Sequence, residues 1–200
     1  MNGYSDRVNH ALAFAAKHHD QQVRKGTRAP YSTQPANLAI ILTRYGCDED
    51  TVTAGILLEV VEDYSRQSFP ADVLRHRVGD KFGDRALELA QMVTERRTDD
   101  EGLELSPEER RADLLERLGK ASADGQVLAA AEALHGAGTL LADLRRTVEV
   151  QSVWGRVPGG KDRILETYRR LHDRLAGAGL RAAILDELRE TITALESIPG

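Results

Sequence analysis

The sequence predicts an all-α fold, and three observations carry that reading. Apolar residues recur at three and four residues almost everywhere along the chain. The alternating, β-branched runs that mark strands are nearly absent. Helix-start chemistry is present too. In Ser106-Pro-Glu-Glu109, Ser106 suits the N-cap, Pro107 the first helical position and Glu109 the returning half of a capping box. Two hundred residues fit one domain with enough chain to bury a core, so a single unit over 1–200 is expected.

The elements follow in order. Helix one starts at Ser5 or Asp6, carries Val8, Ala11, Leu12 and Ala15 on one face, and reaches His18 and His19. Gln22 to Thr33 is a polar loop. Pro35 suits the first turn of helix two, which runs to about Tyr45 and stops at Gly46. Asp48 or Asp50 caps helix three, Thr51 to Tyr64, in which Ile56, Leu57, Leu58, Val60 and Val61 leave little room for a solvated face. After a turn over Ser65 to Pro70, helices are expected from Ala71 to about Val78 and from about Lys81 to Arg96. A charged loop, Thr98 to Leu105, leads into the Ser106-capped helix, which ends near Lys120. An Ala/Leu-rich helix spans roughly Gly125 to Val150, with a break around Gly136 and Gly138. Trp154 to Gly160 is a loop, and two amphipathic helices, about Lys161 to Ala176 and Leu180 to Ser197, close the chain.

The net charge of −5 and the lack of a dense basic run argue against a nucleic-acid surface. Cys47 stands alone, so neither an intramolecular disulfide nor a cysteine-built zinc site is available. The N-terminus lacks a signal-peptide layout, and no apolar run approaches the roughly 20 residues that span a bilayer. A cytoplasmic protein with no membrane partner is the expectation.

The polar chemistry concentrates in the first third. Glu59 sits inside an apolar run, and Glu62 and Asp63 follow at three and four residues' distance, so three carboxylates share one helix face. A buried carboxylate needs a partner. The cluster suits a divalent cation or acid–base work, and the plain alternative for Glu62 and Asp63 is a solvated helix end. His19-x-x-Gln22-x-Arg24-Lys25-Gly26 offers two cations for phosphates, or else a solvated loop pair. Glu132 and His135, at i and i+3, can face a metal or simply form a polar spot on an alanine-rich helix. The remaining histidines show no metal-binding spacing.

Taken in order, Ala13-Phe14-Ala15-Ala16, His19-x-x-Gln22-x-Arg24-Lys25-Gly26, Pro30-Tyr31, Pro35, Asp48 through Asp63, Phe82-Gly83 and Ala131-Glu-Ala-Leu-His135 resemble the HD-domain hydrolases of the RelA/SpoT type. The likeness is to the small stand-alone enzymes that remove the 3′-pyrophosphate from guanosine alarmones such as ppGpp, and it covers residues 7 to about 175. It implies an HD-domain helical bundle of about eight to ten helices, with the C-terminal helices 161–197 packing on it. It also implies a central divalent metal, usually manganese, held by two histidines and two aspartates. Matched one at a time, those positions fall on Gln34, Leu58, Glu59 and Glu132, none of which is the family's residue. The asparagine, arginine and lysine that accompany the cage fall on Gly136, Gly138 and Ala129.

Arg24, Lys25 and Tyr31, which the resemblance places by the nucleotide, survive, as do Glu62 and Asp63, which position the attacking water. The expectation is therefore a degenerate HD domain with no cofactor, in which Leu58 fills the metal's volume. Glu59 then finds Arg24, Lys25, Gln34 or a proton as partner. Such a domain binds a guanine nucleotide, a protein partner or a second copy. The alternative is a phosphohydrolase acting on ppGpp or a related nucleotide through an altered manganese site or through Glu62 and Asp63. A scaffold that only assembles is a third reading.

Overall fold

The computed structural model describes residues 4–23 and 29–200. Among them lie ten helical segments, counting the irregular run over 71–82 once, and no strand beyond two isolated bridges, Val23 with Pro30 and Thr98 with Glu104. Helix α1 is Asp6–His18, with the Ser5 hydroxyl accepting from the Val8 N–H. Helix α2 is Thr33–Arg44 and carries Pro35 in its first turn. Helix α3 is Glu49–Arg66, capped by Asp48, whose Oδ1 accepts from both the N–H and the hydroxyl of Thr51.

The rest of the bundle is built around α3. It packs against α1, α2, the later helix Asp84–Val93 and the long helix Ala123–Arg146, and residues 51 to 61 are buried without interruption. That is why its sequence shows no solvated stripe in that stretch. Gly55 lets α2 come close to α3, since a Cβ there would lie 2.4 Å from Leu42 Cδ1. Helix α3 also runs past the turn expected at Ser65, which places Arg66 on its last turn.

The next stretch departs from expectation. Instead of one helix to Val78 and another from Lys81, the chain forms α4 (Ala71–Leu74), a π-helical turn (Arg75–Gly79) and α5 (Asp80–Phe82). Gly83, at φ +100°, then breaks the path before α6 (Asp84–Val93). Helix α6 stops short of Arg96 because Thr94 turns extended. Arg117 donates to the carbonyls of Met92 (2.9 Å) and Thr94 (2.8 Å), satisfying groups that the missing turn would have used.

Helix α7 (Pro107–Leu118) has the expected capping box in full. Helix α8 (Ala123–Arg146) runs unbroken through Gly136 and Gly138. By length and composition it is apolar enough to cross a bilayer, contrary to expectation. Half of that apolar stretch is buried within the bundle, where it meets α2, α3 and α6. A short helix, α9 (Val150–Trp154), stands where the chain was expected to leave α8 and enter a loop. Helices α10 (Gly160–Gly177) and α11 (Ala183–Glu196) pack on each other and on α8. One core cluster runs from Val8 to Leu195.

Candidate functional site

The acidic face of α3 is answered mainly from nearby. Glu59, 7% exposed, accepts at both oxygens: the Tyr31 hydroxyl donates to Oε2 at 2.6 Å and the Gln34 amide nitrogen to Oε1 at 2.5 Å. Tyr31 stands just ahead of α2 and Gln34 in its first turn, so the start of α2 caps the middle of α3. Burial, then the Glu59 carboxylate, raises the Tyr31 phenol above its usual range and keeps it a donor. Arg66, one to two turns further along α3, reaches all three carboxylates: Glu62 at 2.5 Å, Asp63 Oδ1 at 3.2 Å and Glu59 at 3.8 Å.

The C-terminal end of α1 closes the other side. His18 Nε2 lies 3.3 Å from Asp63 Oδ2. His19 Nδ1 lies 3.2 Å from Gln22 Oε1 and 3.8 Å from Asp63 Oδ2. Burial lowers the pKa of His19, so its ring is neutral near pH 7.

Burial acts on the acids in the opposite sense. It pushes the Glu62 carboxyl up to about 7, and the neighbouring Glu59 charge adds to the effect. Glu132 on α8 is raised well above the carboxylate range by burial, then by Glu62, Glu59 and Glu95. A cavity of about 280 Å³ lies between them, lined by Glu62, Ser65, Arg66, Glu95, Arg97 and Glu132 among others. Glu95, Leu114 and Glu132 also line a larger cavity of about 720 Å³ toward α7 and α10, where Arg111, Arg163, Arg170 and Tyr168 face it. Gly136 borders that cavity, and a Cβ there would lie 3.0 Å from the Tyr168 hydroxyl oxygen.

The structure therefore brings Tyr31, Gln34, Leu58, Glu59, Glu62 and Asp63 together along α3, with Leu58 fully buried. Glu132 meets Glu62 across the smaller cavity. Arg24 and Lys25 lie outside the described residues. His135 is turned to Asn37, its Nε2 3.3 Å from Asn37 Nδ2. The sequence reading missed Arg66, although its spacing from Glu62 and Asp63 is that of helical ion pairs. It also missed His18, which meets Asp63 only through the fold, and the arginines of α7 and α10.

Comparison with known proteins places this geometry in context. The family profile described as HD domain matches residues 11–140. The guanosine-3′,5′-bis(diphosphate) 3′-pyrophosphohydrolase of Aquifex aeolicus (strain VF5) is 31% identical over 91 residues, 46% of this chain. That stretch is 12% of the Aquifex protein, so the chain matches only a small part of that relative's length. A solved structure described as a metazoan ortholog of SpoT, which hydrolyzes ppGpp and plays a role in starvation responses, superposes with a TM-score of 0.70 at 25% identity, covering 98% of each chain. A crystal structure of lmo0812 from Listeria monocytogenes EGD-e superposes with a TM-score of 0.65 at 27% identity, covering 80% of this chain and 96% of that one.

Proposed function

The chain belongs to the HD-domain family and resembles its RelA/SpoT-type hydrolases, and on that premise we propose that it binds a nucleotide as a regulatory module without metal-dependent hydrolysis. The observation that carries the proposal is the occupation of both Glu59 oxygens by Tyr31 and Gln34, beside a fully buried Leu58.

A manganese ion of the family's kind does not fit these residues. Leu58 has no lone pair. Gln34 turns its NH₂, a donor, toward Glu59, where a ligand would present a lone pair. Burial favours the protonated form of Glu132. Nothing in this set reproduces two imidazoles and two carboxylates around one ion.

The larger cavity supports the binding half of the proposal. Its volume lies within the range of small-molecule sites. Arg111, Arg163 and Arg170 suit phosphates, among the carboxylates Glu95, Glu108, Glu132, Asp162 and Glu166 that line the same cavity, and Tyr168 borders it. Calorimetry with guanine nucleotides tests this: saturable one-to-one binding that weakens in Arg163→Ala is expected, and no heat at millimolar ligand refutes it.

A second reading has one observation in its favour. Glu62, held near neutrality, has the pKa of a general acid or base, and Asp63 stands beside it. On that reading the protein releases pyrophosphate from an alarmone, and Glu62→Gln abolishes the release.

A further inference from the structure

The geometry points to a metal site other than the family's cage, a divalent transition-metal centre made by His18, His19 and Asp63, with zinc as the ion its donors suit best. One donor atom from each of the three lies within 4.8 Å of the others. Donors on a tetrahedral zinc ion, with Zn–N about 2.0–2.1 Å, stand roughly 3.3 Å apart. The His18 Nε2 to Asp63 Oδ2 distance is already 3.3 Å. His19 Nδ1 is 3.8 Å from the same oxygen, and the three donors, spread over as much as 4.8 Å, draw together by up to roughly 1.5 Å on an ion. Two imidazoles and one carboxylate, with a fourth position for water or for Gln22 Oε1, form a set that zinc prefers and magnesium does not.

The surroundings hold the donors in place. The His18 ring packs edge-on against His19 and Tyr64, and the His19 ring lies 4.8 Å from Tyr31. His19 is 2% exposed, and its Nε2 is buried with no hydrogen-bond partner among the described residues. The Nδ1 edge faces both Gln22 and Asp63, so coordination through Nδ1 takes the tautomer with its proton on Nε2 and replaces the contact with Gln22 Oε1. Arg66 takes the other oxygen of Asp63, Oδ1, which leaves Oδ2 turned to the imidazoles. Among the described residues, Arg66 is in contact with Glu59, Glu62 and Asp63 alike. His18, a fifth of its side chain exposed, opens the cluster to solvent. None of Gln34, Leu58, Glu59 and Glu132 supplies a donor, so this centre differs from the cage that the family resemblance implies, although Asp63 belongs to the pair that the resemblance places beside that cage.

The test is titration of tag-free protein with Zn²⁺ by calorimetry and with Co²⁺ by visible absorption. One equivalent of each ion is expected to bind, cobalt with the intense visible bands of four-coordinate geometry. Losing even an outer-shell partner of a metal ligand weakens binding about 10–100-fold. His18→Ala and Asp63→Asn should therefore each weaken Zn²⁺ binding more than tenfold, and Glu132→Gln should leave it unchanged. His18→Gln, which keeps a polar side chain without the imidazole, should behave as His18→Ala, and thermal melts identify any variant that misfolds. No saturable binding by the wild type, unchanged affinity in both His18 variants, or loss of binding in Glu132→Gln would each overturn the assignment.

Discussion

Glu59 is a carboxylate held where an apolar side chain would be expected, and its two neighbours decide whether that is tolerable. Tyr31 and Gln34 each satisfy one oxygen. Gln34→Ala leaves Oε1 without that donor, and an unsatisfied buried acceptor costs about 1–3 kcal/mol. Urea titration should show that loss, with Tyr31→Phe behaving alike. Glu62 makes a different prediction. Its folded pKa, about 7, lies above the ordinary 4.5, so the folded state holds more protons than the unfolded one between those values. Its contribution is complete below about pH 4.5 and is lost as pH rises through 7, and Glu132 acts in the same sense. His19, its pKa lowered by burial, acts in the opposite sense below about pH 6.5, so the melting temperature should fall by about 2 °C or more between pH 6.5 and pH 8, given roughly 2–4 °C per kcal/mol at this chain length. Glu62→Gln should flatten the slope. A slope of the opposite sign, or one that survives both Glu62→Gln and Glu132→Gln, would contradict this.

At the scale of the element, the helix starts were legible because caps are local. Ser5, Asp48 and Ser106 each bond a backbone N–H three residues on, and those residues are readable in sequence. From Ala71 to Val93 the presence of two helical runs was legible, but the form of the first and the junction between them were not. The path there depends on a π-helical turn and on the positive φ of Gly83, neither of which leaves a periodic signature. The glycines of α8 misled in the other direction, because a neighbouring side chain explains Gly136 without a kink: Tyr168 closes over it. Gly55 is the element-scale counterpart in α3. Gly55→Ala gains helix propensity but drives a methyl against Leu42 Cδ1, so that fully buried side chain must shift within a packed core. Overpacking of this kind costs about 1–3 kcal/mol, so a net destabilisation is expected by thermal melt, and a stabilised variant would show that α2 and α3 can part there.

Across the whole molecule, the site is a product of distant segments. His18 and Asp63 are 45 residues apart in sequence, and Asn37 and His135 are 98 apart. The sequence singled out Glu59 by its apolar setting and Glu132 by its spacing from His135, and the structure puts both near Glu62. The sequence did not locate the arginines of α7 and α10, which face the larger cavity only because those helices pack beside α8. If that cavity takes a nucleotide, the ligand should stabilise the fold by about 2.7 kcal/mol at a hundred times its Kd. The thermal midpoint should rise accordingly, and a midpoint indifferent to nucleotide would contradict the binding role. The central claim is that this HD-domain frame lacks the donors for its family's manganese chemistry. The most direct test is pyrophosphate release from a guanosine alarmone by the purified chain with manganese added. The account predicts release no faster than in buffer with manganese alone, and manganese-dependent turnover by the wild-type protein would contradict it.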